Sequence, residues 1–342
     1  MLDIFNDDAF SVVRLSMAID KLKFVPSRLG SIGLFEPEPV DTIDIAIEER
    51  DGVLELIEPT ERGGPGVTLG DDDQSLLSIR APHFEINDKL TADSVQGRRS
   101  FGTDNQLETI IARVARKLQR HTQSLDATEE YARAGAIKGI VTYKGGKTLN
   151  LFDLFGVDQL DEIDADLDNA APASGIFRKK CAQIIRVVGD AMDGLPFTGV
   201  RAECGDAFFD DLISNKEVVD TYKSTVQAGE LRTGYITLAN GQTQIWSAFE
   251  FGGILWENYR GKVGVTSFID TDHAHVFPTG APGLFKSFYA PADYEEAVNT
   301  LGQQRYAKQY PMQNGKGRHL DSQTNALHIC TRPGVLQQLR RT

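Results

Sequence analysis

Cysteine is scarce in this chain of 342 residues. Cys181, Cys204 and Cys330 are odd in number and far apart, and no CxxC spacing or Cys/His cluster accompanies them. That excludes a disulfide framework and a thiolate zinc site. Long apolar runs are missing too. The longest spans a handful of residues, against the roughly 20 that a membrane-spanning helix requires. The first residues, MLDIFNDDAFS, lack the basic and apolar regions of a secretory signal. Positive charge is in deficit: 36 basic against 49 acidic residues leave a net −13, which argues against a protein that grips nucleic acid with its whole surface. A soluble, acidic, intracellular protein is the expectation that remains.

Signatures of chemistry are equally thin. No GxSxG elbow occurs, and no cysteine stands in a catalytic context. The glycine-rich stretch RGGPG, the segment GRRSFG (97–102) and the turn Lys144–Lys147 each lack the flanking pattern of a phosphate loop. Asp270, Asp272, His273 and His275 form the one metal-like grouping. Alternate residues of a strand share a face, so His273 and His275 could point at one ion, but no third ligand is visible. The acidic pairs Glu129/Glu130 and Asp210/Asp211 read as solvated helix faces. Trp246, Phe249, Phe251 and Trp256 read as core, and His121 as a satisfied, partly buried histidine. No active site and no cofactor are implied.

What is present is an unusual order of elements. Residues 1 to about 40 suggest an arm: DAFSVVRLSMAIDKL has helical spacing, and Pro26, Pro37 and Pro39 break regular structure in the segment after it. From Thr42 the period becomes two, with Ile43, Ile45 and Ile47 on one face. VLELIE resumes the alternation after Asp51-Gly52, a strong hairpin dipeptide. A glycine-rich tip over 58–74 and a strand SLLSIRAPHFEI complete an extended finger. Leu107, Ile110, Ile111, Val114, Leu118 and Leu125 then fall on one face of a helix predicted over 103–134, with Thr103 or Asp104 as N-cap. Some 30 residues make a rod of roughly 45 Å. On another face of it Arg113, Arg116, Lys117 and Arg120 gather into a basic stripe. The stripe is either a solvated or internally paired face, or a contact for an anionic partner.

Beyond the rod, IVTY and TLNLFDLF predict a hairpin about Lys144–Lys147. An acidic connector comes next over 157–171, then a helix over about 173–193. GVRAECG predicts a strand and 206–228 short helices; QTQIWSAFEFGGILWENY, KVGVTSFI and HAHVFPTG are β-like. NALHICTRP reads as a strand, and VLQQLRRT has helical periodicity.

Arm, finger, very long helix and a mixed α+β remainder resemble the major capsid proteins of tailed bacteriophages with the Hong Kong 97 fold. More narrowly they resemble the lambda-type major head protein family. The likeness lies in PSRLGSIGLFEPEPVDT, in RGGPG, in IRAPHFEINDKLTADSVQGRRSFG leading into the long helix, and in RYAKQYPMQNGKGRHLDSQTNALHICTRPGVL. The resemblance implies an N-terminal arm over 1–41 and an extended loop over 42–95, with Arg62, Gly63, Gly64, Pro65 and Gly66 reaching over a neighbour. It implies a peripheral domain over 96–171 with its spine helix, an axial domain over 172–290, and a return to the peripheral domain over 291–342.

The same resemblance implies an icosahedral shell of hexamers and pentamers that encloses double-stranded DNA. Such a shell forms as a precursor, assembled in the host bacterial cytoplasm, and then expands into the virion capsid. Implied partners are further copies of the chain, a portal protein, a trimeric decoration protein, and packaged DNA held by weak non-specific contact. Because the sequence starts directly with the arm, a separate scaffolding protein is expected. No membrane partner is expected. Two alternatives stand beside this reading: a cargo-enclosing compartment of the same fold, and a soluble α+β metalloenzyme using His273 and His275.

Overall fold

A computed structural model describes residues 28–51, 73–95, 106–169, 175–223 and 248–342. Its axis is one helix, Gln106–Lys138, of 33 residues, roughly 50 Å at 1.5 Å per residue. It runs one turn beyond the predicted end and stops where Gly139 takes a left-handed φ of 80°. The predicted caps Thr103 and Asp104 lie outside the described residues. Val114, Leu118 and Leu125 are buried as the periodicity requires. Near its end, Gly135 lets the strand Ile140–Thr142 lie directly against the helix: a Cβ there would sit 2.6 Å from the Cα of Val141.

The finger strands Asp44–Asp51 and Asp73–Arg80 pair antiparallel, with Asp51 opposite Asp73 and Ile45 opposite Ile79. Asp51 therefore does not pair across a two-residue turn at Asp51-Gly52. The predicted second strand is also cut in two. Pro82 has no N–H to give to a ladder, and after it Phe84–Thr91 joins a different sheet, pairing with Gly317–Thr324, which in turn pairs with Tyr306–Pro311. Likewise TLNLFDLF is half strand and half helix. Asn150 caps the helix Leu151–Phe155 by accepting from the Phe152 N–H.

The main sheet has six strands, in the order Ile163–Asp164, Gln337–Arg340, His273–Thr279, Gly199–Cys204, Ile254–Asn258 and Ala248–Phe251. The terminal VLQQLRRT is thus a strand, not a helix, because pairing with His273–Val276 overrides its weak helical spacing. One face of the sheet carries the helices Ile176–Ala191 and Asp206–Ser214. Trp256 packs there between Phe177 and Phe208, with ring centroids 5.6 and 6.0 Å away. Phe249 and Phe251 are buried as expected, while Trp246 lies outside the described residues.

Alternation sends Glu257, the neighbour of Trp256, to the opposite face. There it meets residues 28–40, expected as the base of an arm. They are bound into the body: Leu29 is fully buried, and Glu36–Pro39 forms a parallel pair with Phe285–Tyr289. Among the described residues no helix is long and apolar enough to cross a membrane.

Candidate assembly interface

The tip Arg62, Gly63, Gly64, Pro65 and Gly66 lies outside the described residues, between two finger strands that are described. The basic stripe is described, and the structure divides it. Positions four apart run along one flank of a helix, and Arg113, Lys117 and His121 face Ser94, Asp88 and Ser322 in turn. Arg113 donates to the carbonyl of Ser94. Lys117 Nζ lies 2.6 Å from Asp88 Oδ2, and His121 Nδ1 lies 2.9 Å from Ser322 Oγ. Burial would lift the Asp88 carboxyl, but the hydrogen bonds from Lys117 and from the Lys89 amide outweigh it and hold the group below its ordinary value. Arg116 and Arg120 stand exposed on the adjoining flank. One pair fastens the helix; the other faces outward.

Sequence pattern alone misses what the buried side of the helix does. Glu129 and Glu130, expected on a solvated face, are 2% and 3% exposed. Glu130 accepts hydrogen bonds from the backbone N–H of Leu29 at 2.7 Å and of Gly30 at 3.2 Å, and from the Tyr259 hydroxyl at 2.8 Å. Glu129 receives Arg133 at 3.1 Å, Thr324 Oγ1 at 2.9 Å, Gln304 Nε2 at 3.1 Å, and the Arg305 guanidinium. Arg305 also meets Asp126. Burial alone would raise the Glu129 carboxyl; Arg305, His328 and Arg133 reverse that and bring it down to about 2.

A second cluster sits on the sheet. Glu203 and Glu257 stand opposite each other in adjacent parallel strands. Arg201 donates to both, with Nε 2.7 Å from Glu203 Oε1. Arg28 grips both oxygens of Glu257. Burial, and then the neighbouring Glu257, push the Glu203 carboxyl above its ordinary value against the pull of Arg201. The two clusters tie the base of the arm, the long helix, the six-stranded sheet and the loop at Arg305 into one charged seam. Contacts such as Leu29–Glu130, Arg28–Glu257 and Arg305–Glu129, each between residues more than 100 positions apart, keep it invisible to a linear reading.

The metal-like grouping of the sequence is taken apart by the fold. His275 is buried and neutral, its imidazole pushed down to about 3 by burial and by Lys138. Asp272 is held by Arg341 at 2.8 Å, and His273 by Glu162 at 3.1 Å. Among the described residues no three His, Cys, Asp or Glu side chains are grouped to hold a metal ion. His121 is buried and satisfied, as expected.

Comparison with known proteins agrees with a structural role. Residues 11–341 match the family described as Phage major capsid protein E. The major capsid protein of Pseudomonas phage KPP10 is 28% identical over 318 residues, covering 89% of each chain. That of Salmonella phage Felix O1 (isolate Felix O1-VT1) is 26% identical over 368 residues, covering 99% of this chain and 98% of the relative. Among solved structures, one assigned as a prophage capsid protein of E. coli CFT073 is similar with a TM-score of 0.60 at 12% identity, covering 97% of this chain and 99% of the other. At that identity the likeness speaks for the fold alone.

Proposed function

This chain belongs to the phage major capsid protein E family, and from that premise we propose how its parts build a shell. It is a major capsid protein of the Hong Kong 97 type of fold, a structural component of the virion and not an enzyme. The observation that carries this is the family match over 11–341, nearly the whole chain. A cargo compartment or a metalloenzyme has no comparable support.

In our reading the shell is icosahedral, made of hexamers and pentamers around double-stranded DNA. It is assembled as a precursor in the host bacterial cytoplasm on a separate scaffolding protein, and then expands. A portal protein occupies one vertex, and a trimeric decoration protein is a further partner. Residues 1–41 act as the arm and 42–95 as the extended loop, with Arg62–Gly66 on a neighbouring subunit. Residues 96–171 and 291–342 form the peripheral domain, and 172–290 the axial one. The finger exposes Ile43, half accessible in the single chain, and a neighbour covers it. Many modest contacts then act together. A net −13 keeps contact with DNA weak, useful where the contents must move. Protein analysis of DNA-filled virions tests the role: this chain is expected as the most abundant polypeptide, and a trace amount would contradict it.

The outward pair of the stripe carries its own test. Charge reversal at Arg116→Glu and Arg120→Glu is expected to leave the monomer folded, since both positions are exposed, and to damage assembly or packaging. Normal yields of DNA-filled particles would show that the stripe is only a solvated face.

A further inference from the structure

Opposite charges sit on opposite flanks of one end of the six-stranded sheet. The register places Asn258, Cys204, His273, Arg340 and Asp164 all at that end. From Asn258 the chain enters the loop RGKVGVTS (260–267), which holds two basic residues and no acid. Past the opposite flank runs the connector DQLDEIDADLD (158–168), which holds six acids and no base. Four strand spacings separate the two flanks, about 19 Å at ~4.8 Å each. Between them Arg341 lies 2.9 Å from Asp211 and 2.8 Å from Asp272, and on the acidic flank itself Glu162 meets His273 at 3.1 Å and Asp164 meets Arg340 at 3.6 Å.

The basic loop is rooted firmly but displays apolar side chains. Its root Phe268 is buried, packed at 5.1 Å on Tyr131, and donates its N–H to the carbonyl of Gly261 at 3.0 Å. A two-pair ladder, Lys262–Ser267 and Val263–Thr266, shapes the tip. Val263 is 54% exposed, and Val265 is as exposed as in an extended chain. Lys262 is exposed, and Arg260 leans only loosely on Asp206, at 3.5 Å with both side chains more than half accessible. On the acidic flank Asp158, Asp161 and Asp168 are exposed along the connector, and Val157 is exposed at its start.

We propose that the loop 260–267 of one copy docks on the connector 157–168 of the next copy in a ring. Arg260 and Lys262 meet the carboxylates, and Val263 and Val265 meet Val157. Complementary patches on two different flanks produce a head-to-tail contact, which closes into a ring when the rotation fits. Steering between them is electrostatic and weakens with salt, because exposed charges are screened over about 8 Å at physiological ionic strength. The inference rests on the shell-forming reading above and names the contact within it.

Charge reversal in two sets tests it. One variant carries Arg260→Glu and Lys262→Glu, the second carries Asp161→Lys and Asp168→Lys, and a third carries all four. Thermal melts check that each still folds as the exposed positions predict. Assembly is tracked by light scattering and sedimentation, with the unaltered chain alongside. Each pair alone is expected to slow assembly at least tenfold, and the four together to restore it to within a few-fold. Unimpaired assembly of either pair, or no rescue by the folded four-fold variant, overturns the contact while leaving the shell role intact. Failure of the unaltered chain to assemble under any condition overturns the shell role itself, and the contact with it.

Discussion

Replacing Arg28 with methionine is expected to destabilise the chain by about 3–5 kcal/mol, the usual effect of breaking one side of a buried ion pair. Arg28 enters from the base of the arm and holds both oxygens of Glu257, which is fully buried. Without it, Arg201 alone must balance Glu203 and Glu257 on adjacent strands. Adding Glu257→Gln removes the uncompensated charge and should recover most of the loss, since buried partners couple strongly. Urea unfolding of the unassembled chain checks both, read as a shift in midpoint at unchanged slope. A drop for R28M no larger than for an exposed arginine such as Arg120 would show that the seam contributes little.

Acid is expected to unfold the protein well before its carboxylates are exhausted. His275 and His328 are buried, and burial brings both imidazoles down to about 3 from an ordinary 6.5. Below pH 6.5 the unfolded chain takes up protons there that the native chain refuses, so stability falls as the pH drops toward 3. Two such sites give a slope of roughly 2.7 kcal/mol per pH unit. A domain stable by about 5–15 kcal/mol tolerates only a few units of that. Glu129 adds to the loss below pH 4.5, where its lowered carboxyl stays ionised in the native state until about 2. Glu203 acts with the opposite sign: between about pH 7 and 4.5 its raised carboxyl takes up a proton that the unfolded chain does not, which offsets about one of the two histidines in that window. Melting temperatures measured from pH 8 to pH 4 should therefore fall steeply on the acid side. Replacing His275 and His328 with glutamine should flatten the fall. An unchanged profile in that double variant would contradict the assignment.

The long helix is readable in the sequence because its apolar spacing persists over many turns, and tertiary packing only extends it to Lys138. The finger strands and Ala326–Cys330 are legible for the same reason, a clean alternation or apolar run. Gly317–Thr324 is not. Its buried residues include Asp321, Ser322, Gln323 and Thr324, which hydrogen-bonding makes tolerable and which carry no hydrophobic signal. The candidate surface divides similarly. A helical wheel places Arg113, Arg116, Lys117 and Arg120 together, but it is the folded positions of the Ser94 carbonyl and Asp88 that fasten Arg113 and Lys117 to the body. Arg28, Glu130, Arg201, Glu257 and Arg305 look like ordinary surface charges in the sequence; their function comes from folding distant segments onto one seam. The family resemblance supplied the role of the whole before any of these contacts could.

Electron microscopy of the purified, concentrated chain, with its sedimentation profile, addresses the shell role most directly. Closed, uniform icosahedral shells, or the tubes and sheets that the same contacts build, are the predicted result. A discrete monomer or small oligomer that never assembles, even with scaffolding protein supplied, would contradict the account.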